Sequence, residues 1–152
     1  MKIRMIAAVS IAGAATSLPL AATAQADNAE QDFQTPSGNI ACWVRAAEAG
    51  CDIGDYTYIP PNPFPTEQVP RPCSSDDVIR FDLNQGHTPV GYCHPGGAPL
   101  SNLHAPGLQT LGYGQTRSVG VMTCDSEPSG VTCTDTSTGH FFRVSRESYQ
   151  VG

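Results

Sequence analysis

Six cysteines are the residues whose types and spacing point most directly to a chemistry, the formation of disulfides. Two pairs share one spacing, since eight residues separate Cys42 from Cys51 and Cys124 from Cys133. A turn of this even length lets two cysteines face each other across an antiparallel strand pair, roughly 4.5–5.5 Å apart and within bridging distance. Although other pairings are possible in principle, we predict that neighbours pair: Cys42–Cys51, Cys73–Cys93 and Cys124–Cys133.

Metal binding is the alternative chemistry for these thiols. Cys93 and His94 are adjacent, and His87 and His104 lie nearby, which resembles a ligand cluster. The chain has no C-x-x-C motif, however, and exported thiols oxidise unless a metal binds them early. We therefore predict three disulfides, no metal ligands and no cofactor.

Catalytic signatures are weak in this sequence. The four histidines and many serines offer Ser/His/Asp combinations on paper, but no G-x-S-x-G elbow is present. Ser129, within Pro-Ser-Gly, is better explained as a turn residue. The acids Asp76 and Asp77 are a poor pair for glycoside cleavage, because neighbours on a strand point to opposite faces. We assign no catalytic residue, and an enzymatic role stays uncertain and less favoured.

Two segments hold candidate binding residues. On a strand, His140 lies on one face with Phe142, while Arg143 lies on the other. One interpretation makes His140 and Arg143 anion-binding groups. The alternative, which we favour, pairs Arg143 and Arg146 with acids such as Asp135 or Glu147 at the surface.

The second segment runs from residue 56 to residue 65 and is rich in proline and aromatic residues. Its side chains Tyr56, Tyr58 and Phe64 would form a partner-binding strip on a stiff, extended backbone that loses little entropy on docking. The alternative is a strap whose aromatic rings cover the sheet.

The first 24 residues have the features of an export signal. Lys2 and Arg4 precede an apolar run over residues 5–22, and Ala-Thr-Ala at 22–24 suggests cleavage before Gln25. We predict a signal peptide over 1–24, a flexible segment over 25–31 and a single secreted β domain over 32–152. The mature protein is expected to be extracytoplasmic, in the cell envelope or outside the cell, without stable membrane insertion.

The net charge of the mature chain indicates which kinds of partner it would attract. Removal of the signal leaves six arginines against 14 acidic residues, a net charge of −8. This disfavours binding to nucleic acid or anionic lipid and would suit a cationic partner. We expect an unknown protein or cell-envelope partner.

Glycine (15) and proline (13) are frequent, so turns must be common and long helices are not expected. Six prolines between 59 and 72 exclude a helix or central strand there. The strands that we expect are about 31–35, 39–45, 51–53, 77–83, 87–94, 118–125, 131–135 and 140–145. They predict an all-β fold: two small antiparallel meanders, joined by the proline-rich strap and a central hairpin, in a disulfide-stapled sandwich or open barrel.

Pro-Ser-Gly precedes a cysteine at both ends of the domain, at 36–42 and 128–133. The use of the same turn-forming residues explains this similarity as well as duplication does.

The order of motifs resembles an uncharacterised family of small secreted actinobacterial proteins, mycobacterial members included. The similarity lies in F-x-[ST]-P-S-G-N-I-x-C at 33–42, Tyr-Gly at 113–114, and the segments 124–133 and 138–146. Phe141 departs from the pattern, where a second glycine is expected after the histidine. The resemblance implies an exported, disulfide-bonded domain but no activity and no catalytic residues.

The function that we predict from sequence is a non-enzymatic extracytoplasmic binding or interaction protein. The alternatives are a small secreted hydrolase and a secreted protease inhibitor, whose reactive segment would be the proline-rich strap or the 95–110 loop.

Overall fold

The computed structural model describes residues 31–59, 73, 77–94 and 108–152, and in these ranges the chain forms eleven β-strands. Alternating burial along most strands reflects side chains that point in turn to the core and to solvent. The strands are β1 (Gln31–Gln34), β2 (Ile40–Val44), β3 (Glu48–Ile53), β4 (Val78–Asn84), β5 (Val90–His94), β6 (Gln109–Thr110), β7 (Gln115–Val119), β8 (Met122–Glu127), β9 (Gly130–Asp135), β10 (Phe141–Val144) and β11 (Tyr149–Val151).

Two sheets contain these strands. The first has the order β5-β4-β3-β2-β1-β6, and the second has the order β11-β10-β9-β8-β7. Strands β1–β5 and strands β7–β11 each form an antiparallel meander, and β6 adds to the first sheet as a parallel neighbour of β1. Pro89 directly precedes β5, an edge strand, where its missing N–H costs no ladder bond.

All three predicted disulfides are present. Cys42 and Cys51 are directly opposed on β2 and β3, and Cys124 and Cys133 are directly opposed on β8 and β9, each with Cα atoms 4.1 Å apart. The third disulfide joins Cys73 to Cys93 on β5. Disulfides of this kind are typical of proteins that fold in an oxidising compartment.

The two hairpin disulfides face each other between the sheets. The Sγ atoms of Cys51 and Cys133 lie 3.8 Å apart, and the rings of Phe81 and Phe142 stack beside them with centroids 5.8 Å apart. The two sheets therefore pack face to face over one shared core, and the fold is the predicted all-β, disulfide-stapled sandwich.

One end of the sandwich, which we call the closed end, carries the β2–β3, β4–β5, β7–β8 and β9–β10 turns. Hydrogen bonds tie the sheets together there: Val121 N donates to Ala46 O, and Gly86 N donates to a carboxylate oxygen of Asp135. Gly120 has φ +59°, and a Cβ at this position would overlap the backbone of Ala46. The turns of the two sheets are therefore in direct contact at this end.

The strand predictions differ from the structure in several places. The connection between the predicted strands 39–45 and 51–53 is shorter than expected, because β3 already begins at Glu48. A turn at residues 120–121 interrupts the predicted strand 118–125 and separates β7 from β8. Strands β6 and β11 lie in segments for which no strand was predicted. The expected central hairpin is not a separate unit, since β4 pairs with β3 and continues the first meander.

Candidate functional site: a groove at the open end

The opposite end of the sandwich, the open end, carries a groove of about 370 Å³. Its walls come from both sheets: the β1–β2 turn, the chain after β3, the β8–β9 turn and the β10–β11 turn, with Tyr113 from the segment before β7. The lining residues are Thr35, Ser37, Asn39, Ile40, Asp55, Tyr113, Glu127, Pro128, Gly130, Ser145, Arg146 and Glu147. Because four separate connections converge there, the groove exists only in the folded sandwich.

The β1–β2 turn is fixed by its own hydrogen bonds. Gly38 N donates to Thr35 O, and the hydroxyls of Thr35 and Ser37 lie 3.0 Å apart. Gly38 has φ +71°, a conformation that glycine adopts without strain. Asn39 then holds the chain after β3, because its amide donates to Asp55 O at 2.9 Å and accepts from Asp55 N at 2.7 Å.

The β10–β11 turn is fixed in the same way and connected to the opposite sheet. Ser145 Oγ donates to Ser148 O and accepts from Ser148 N, both at 3.1 Å. Thr57 N donates to Arg146 O at 2.8 Å, which joins the segment after β3 to the second sheet. The walls of the groove are therefore held by bonds that need no ligand, and little ordering remains for a ligand to induce.

The rim of the groove is polar and mainly acidic. It carries the carboxylates of Asp55, Glu127 and Glu147 against one guanidinium, that of Arg146. Within the described ranges these four side chains form no ion pair with one another. Tyr113 is 45% exposed and adds an aromatic surface. Such a rim attracts a positively charged group and gives it an aromatic face to pack against.

Of the predicted binding strip, Tyr56 and Tyr58 lie within the described residues and Phe64 lies outside them. Tyr56 donates its hydroxyl to Asp77 O, and its ring lies 5.3 Å from that of Tyr58. Tyr58 in turn contacts Tyr149, whose ring lies 5.4 Å from that of Phe81 in the core. The alternative interpretation, a strap whose rings cover the sheet, accounts for both tyrosines.

The structure does not bring His140 and Arg143 to one partner. The ring Nδ1 of His140 lies 3.3 Å from Gly152 O, whereas Arg143 donates to Ser129 O at 3.3 Å. Ser129 occupies the β8–β9 turn, as the sequence predicts.

The expectation that Asp135 pairs with an arginine is wrong. Asp135 is fully buried, and its carboxylate accepts hydrogen bonds from Ser137, Thr138 and Gly86 N. The bond from the Ser137 hydroxyl and that from the Gly86 amide hold the pKa of this carboxyl well below its usual range.

The histidine side chains within the described ranges, those of His87 and His140, make no hydrogen bond to a serine or a carboxylate there. Among the same residues no three or more His, Cys, Asp or Glu side chains are grouped to hold a metal ion. Cys93 is bonded to Cys73, which removes the thiol from the Cys/His cluster considered above. None of the described residues forms a helix with the length and apolar character that crossing a bilayer requires.

No protein-family model, curated protein or solved structure matches this chain. The resemblance to actinobacterial secreted proteins therefore stays a prediction.

The sequence reasoning did not identify the groove residues as a site. Asn39, Tyr113 and Arg146 each stand in a segment that supports the proposed resemblance, and these segments are far apart in the chain but meet at the open end. The available signal was the recurrence of turn-forming residues at 36–39, 128–130 and 145–148. It could not be interpreted as one site without knowing that these turns share one end of the sandwich.

Proposed function

We propose that this protein is a non-enzymatic, exported binding protein that holds a polar, positively charged ligand in the open-end groove. The observation that carries the proposal is the groove itself, a concave surface built by four connections from both sheets. Sites of a few hundred cubic ångströms with a few placed polar groups are typical of ligand-binding proteins.

Charge supports the positive ligand. Three carboxylates and one guanidinium line the groove, and the segment that follows the predicted signal carries a net charge of −8. The overall charge concentrates cations near the surface, and the rim then orients them. Export is supported by the signal-like segment over 1–24 and by the three disulfides.

A direct test is fluorescence anisotropy with a labelled hexapeptide of alternating lysine and glycine, and with its glutamate counterpart. We expect the lysine peptide to bind and the glutamate peptide not to bind. The double variant E127Q/E147Q keeps the shape of both side chains and removes two charges. It should weaken binding by about three- to tenfold, since exposed charges contribute about 0.2–1 kcal/mol each.

The matched control is Asp32→Asn, which removes one exposed carboxylate on β1 that lies outside the groove lining. Its affinity for the lysine peptide should equal that of the unaltered protein. Equal binding of the two peptides would contradict the proposal that the groove binds a positively charged ligand. A control variant that weakens binding as much as the double variant does would contradict it as well. A screen with ester, peptide and glycan substrates covers the hydrolase alternative, and turnover that His87→Ala or His140→Ala abolishes would replace this proposal.

A further inference from the structure

A second recess lies on the outer face of the first sheet, away from the groove. Its first component is Trp43 on β2, which is opposed on β3 by Gly50. Because Gly50 has no side chain, the indole lies across β3, and a Cβ at this position would overlap the ring. The glycine thus fixes where the only tryptophan of the chain rests.

The guanidinium of Arg80 lies over this indole, 4.7 Å from its centroid. Arg80 also donates to both carboxylate oxygens of Asp52, at 2.7 and 2.8 Å, in a bidentate pair. This pair fixes the arginine and compensates much of its charge. Among the described residues, Arg80 forms no hydrogen bond to Glu48 or Asp82.

Next to the indole is a small recess of about 140 Å³. Its lining consists of Trp43, Glu48, Ala49, Asp82, Leu83 and Asn84. Asp82 Oδ2 accepts the hydroxyl of Tyr92 at 2.6 Å. Its other oxygen, Oδ1, is buried and has no hydrogen-bond partner among the described residues. A buried acceptor without a donor costs free energy that a bound donor would recover.

We propose that this recess binds an alkylammonium group, as carried by a lysine side chain or a small amine. The indole gives the alkyl chain an apolar wall, Glu48 and Asp82 supply negative charge, and an N–H group of the ligand satisfies Asp82 Oδ1. The volume fits an ammonium head with the first part of its alkyl chain, since a water molecule occupies about 30 Å³ of liquid.

The chemistry of the recess excludes the other simple ligand classes. An anion would meet two carboxylates, and an uncharged alkyl chain would leave Asp82 Oδ1 without a donor. The proposal is independent of the groove, because the two lining sets have no residue in common.

The single tryptophan makes the test direct, because emission excited at 295 nm reports on the wall of the recess. Three blocked or simple probes are titrated: Nα-acetyl-lysine methylamide, Nα-acetyl-norleucine methylamide and free n-butylamine. The lysine and norleucine derivatives share most of the alkyl chain and differ in the ammonium. We expect a saturable change in emission with the lysine derivative and none with norleucine at the same concentrations. If butylamine binds as tightly as the lysine derivative, a small amine is sufficient for binding. If butylamine binds more weakly than the lysine derivative, the recess prefers a lysine side chain.

Asp82→Asn and Glu48→Gln should each weaken lysine binding by about three- to tenfold. Glu48 is exposed, so its variant keeps the test valid if the Asp82 variant folds poorly. Asp125→Asn, on the outer face of the second sheet and outside both lining sets, is the control and should leave the titration unchanged. A norleucine response equal to that of lysine, no response to any ammonium probe, or unchanged affinity in Glu48→Gln would overturn the proposal.

Discussion

Removing the hairpin disulfide of the second sheet tests what holds the sandwich together. The perturbation is the double variant C124A/C133A. The three disulfides enclose consecutive stretches of chain, 42–51, 73–93 and 124–133, that do not overlap. Deleting one therefore leaves the loop lengths of the other two unchanged, and its cost can be measured by itself.

The expected cost has two parts. Opening a ten-residue loop releases about 2.7 kcal/mol of denatured-state restraint in the chain-entropy model. Cys124 and Cys133 are also fully buried, and the second sulfur packs against Cys51. Truncating two such side chains costs about 1 kcal/mol each, comparable to losing a buried methyl group. The free energy of unfolding should therefore fall by about 4–5 kcal/mol, a large part of the 5–15 kcal/mol typical of a domain.

Urea unfolding followed by circular dichroism measures this cost. The slope of unfolding free energy against urea should also rise, because the denatured state without the crosslink exposes more surface. The matched variant C124A/C133V keeps the loop open but refills part of the space, and it should recover about 1–1.5 kcal/mol. A cost below about 2 kcal/mol, or a valine variant no more stable than the alanine variant, would show that the facing sulfurs are not a packed part of the core.

Three further predictions follow from single sites. Gly50→Ala should displace the indole of Trp43, because the added methyl group would overlap the ring. The tryptophan emission should shift and lysine binding in the recess should be lost, whereas peptide binding in the groove should not change. Unchanged emission would contradict the position of the indole over Gly50. Asp135→Asn should destabilise the closed end at pH 7. Because hydrogen bonds hold the pKa of Asp135 well below its usual range, the stability that its charge contributes should be complete above about pH 5 and begin to decline as pH falls further. The test compares the urea midpoints of the variant and the unaltered protein from pH 7 to 3, and the difference between them should be constant at first and then narrow toward pH 3. Burial raises the pKa of Asp82, so lysine binding at the recess should strengthen as pH rises and Asp82 ionises. Calorimetric titrations at several pH values measure this, and an affinity that does not change with pH would argue against contact between Asp82 and the ammonium.

The sequence allowed the covalent framework and the fold class to be predicted because both depend on local spacing. Cys42 and Cys51 lie in one hairpin, so their separation alone fixes whether they can oppose each other. Strand β11 and the short strand β6 were missed because each pairs mainly through backbone atoms at a sheet margin and buries few apolar side chains. The groove and the indole recess depend on residues brought together over long separations, such as Asn39 with Arg146 or Trp43 with Asp82, and no local pattern encodes such proximity.

In the first sheet Cys42, Cys51 and Phe81 lie in one cross-strand row, and in the second sheet Cys124, Cys133 and Phe142 form the equivalent row.

Each row places a disulfide between the second and third strands of its meander and a phenylalanine on the fourth. Because the sheets pack face to face, sulfur meets sulfur and ring meets ring. The Pro-Ser-Gly segments noted in the sequence do not follow this correspondence, since one precedes β2 and the other precedes β9. The likeness between the halves therefore lies in strand order and register, and those are set by which residues can face each other across the core.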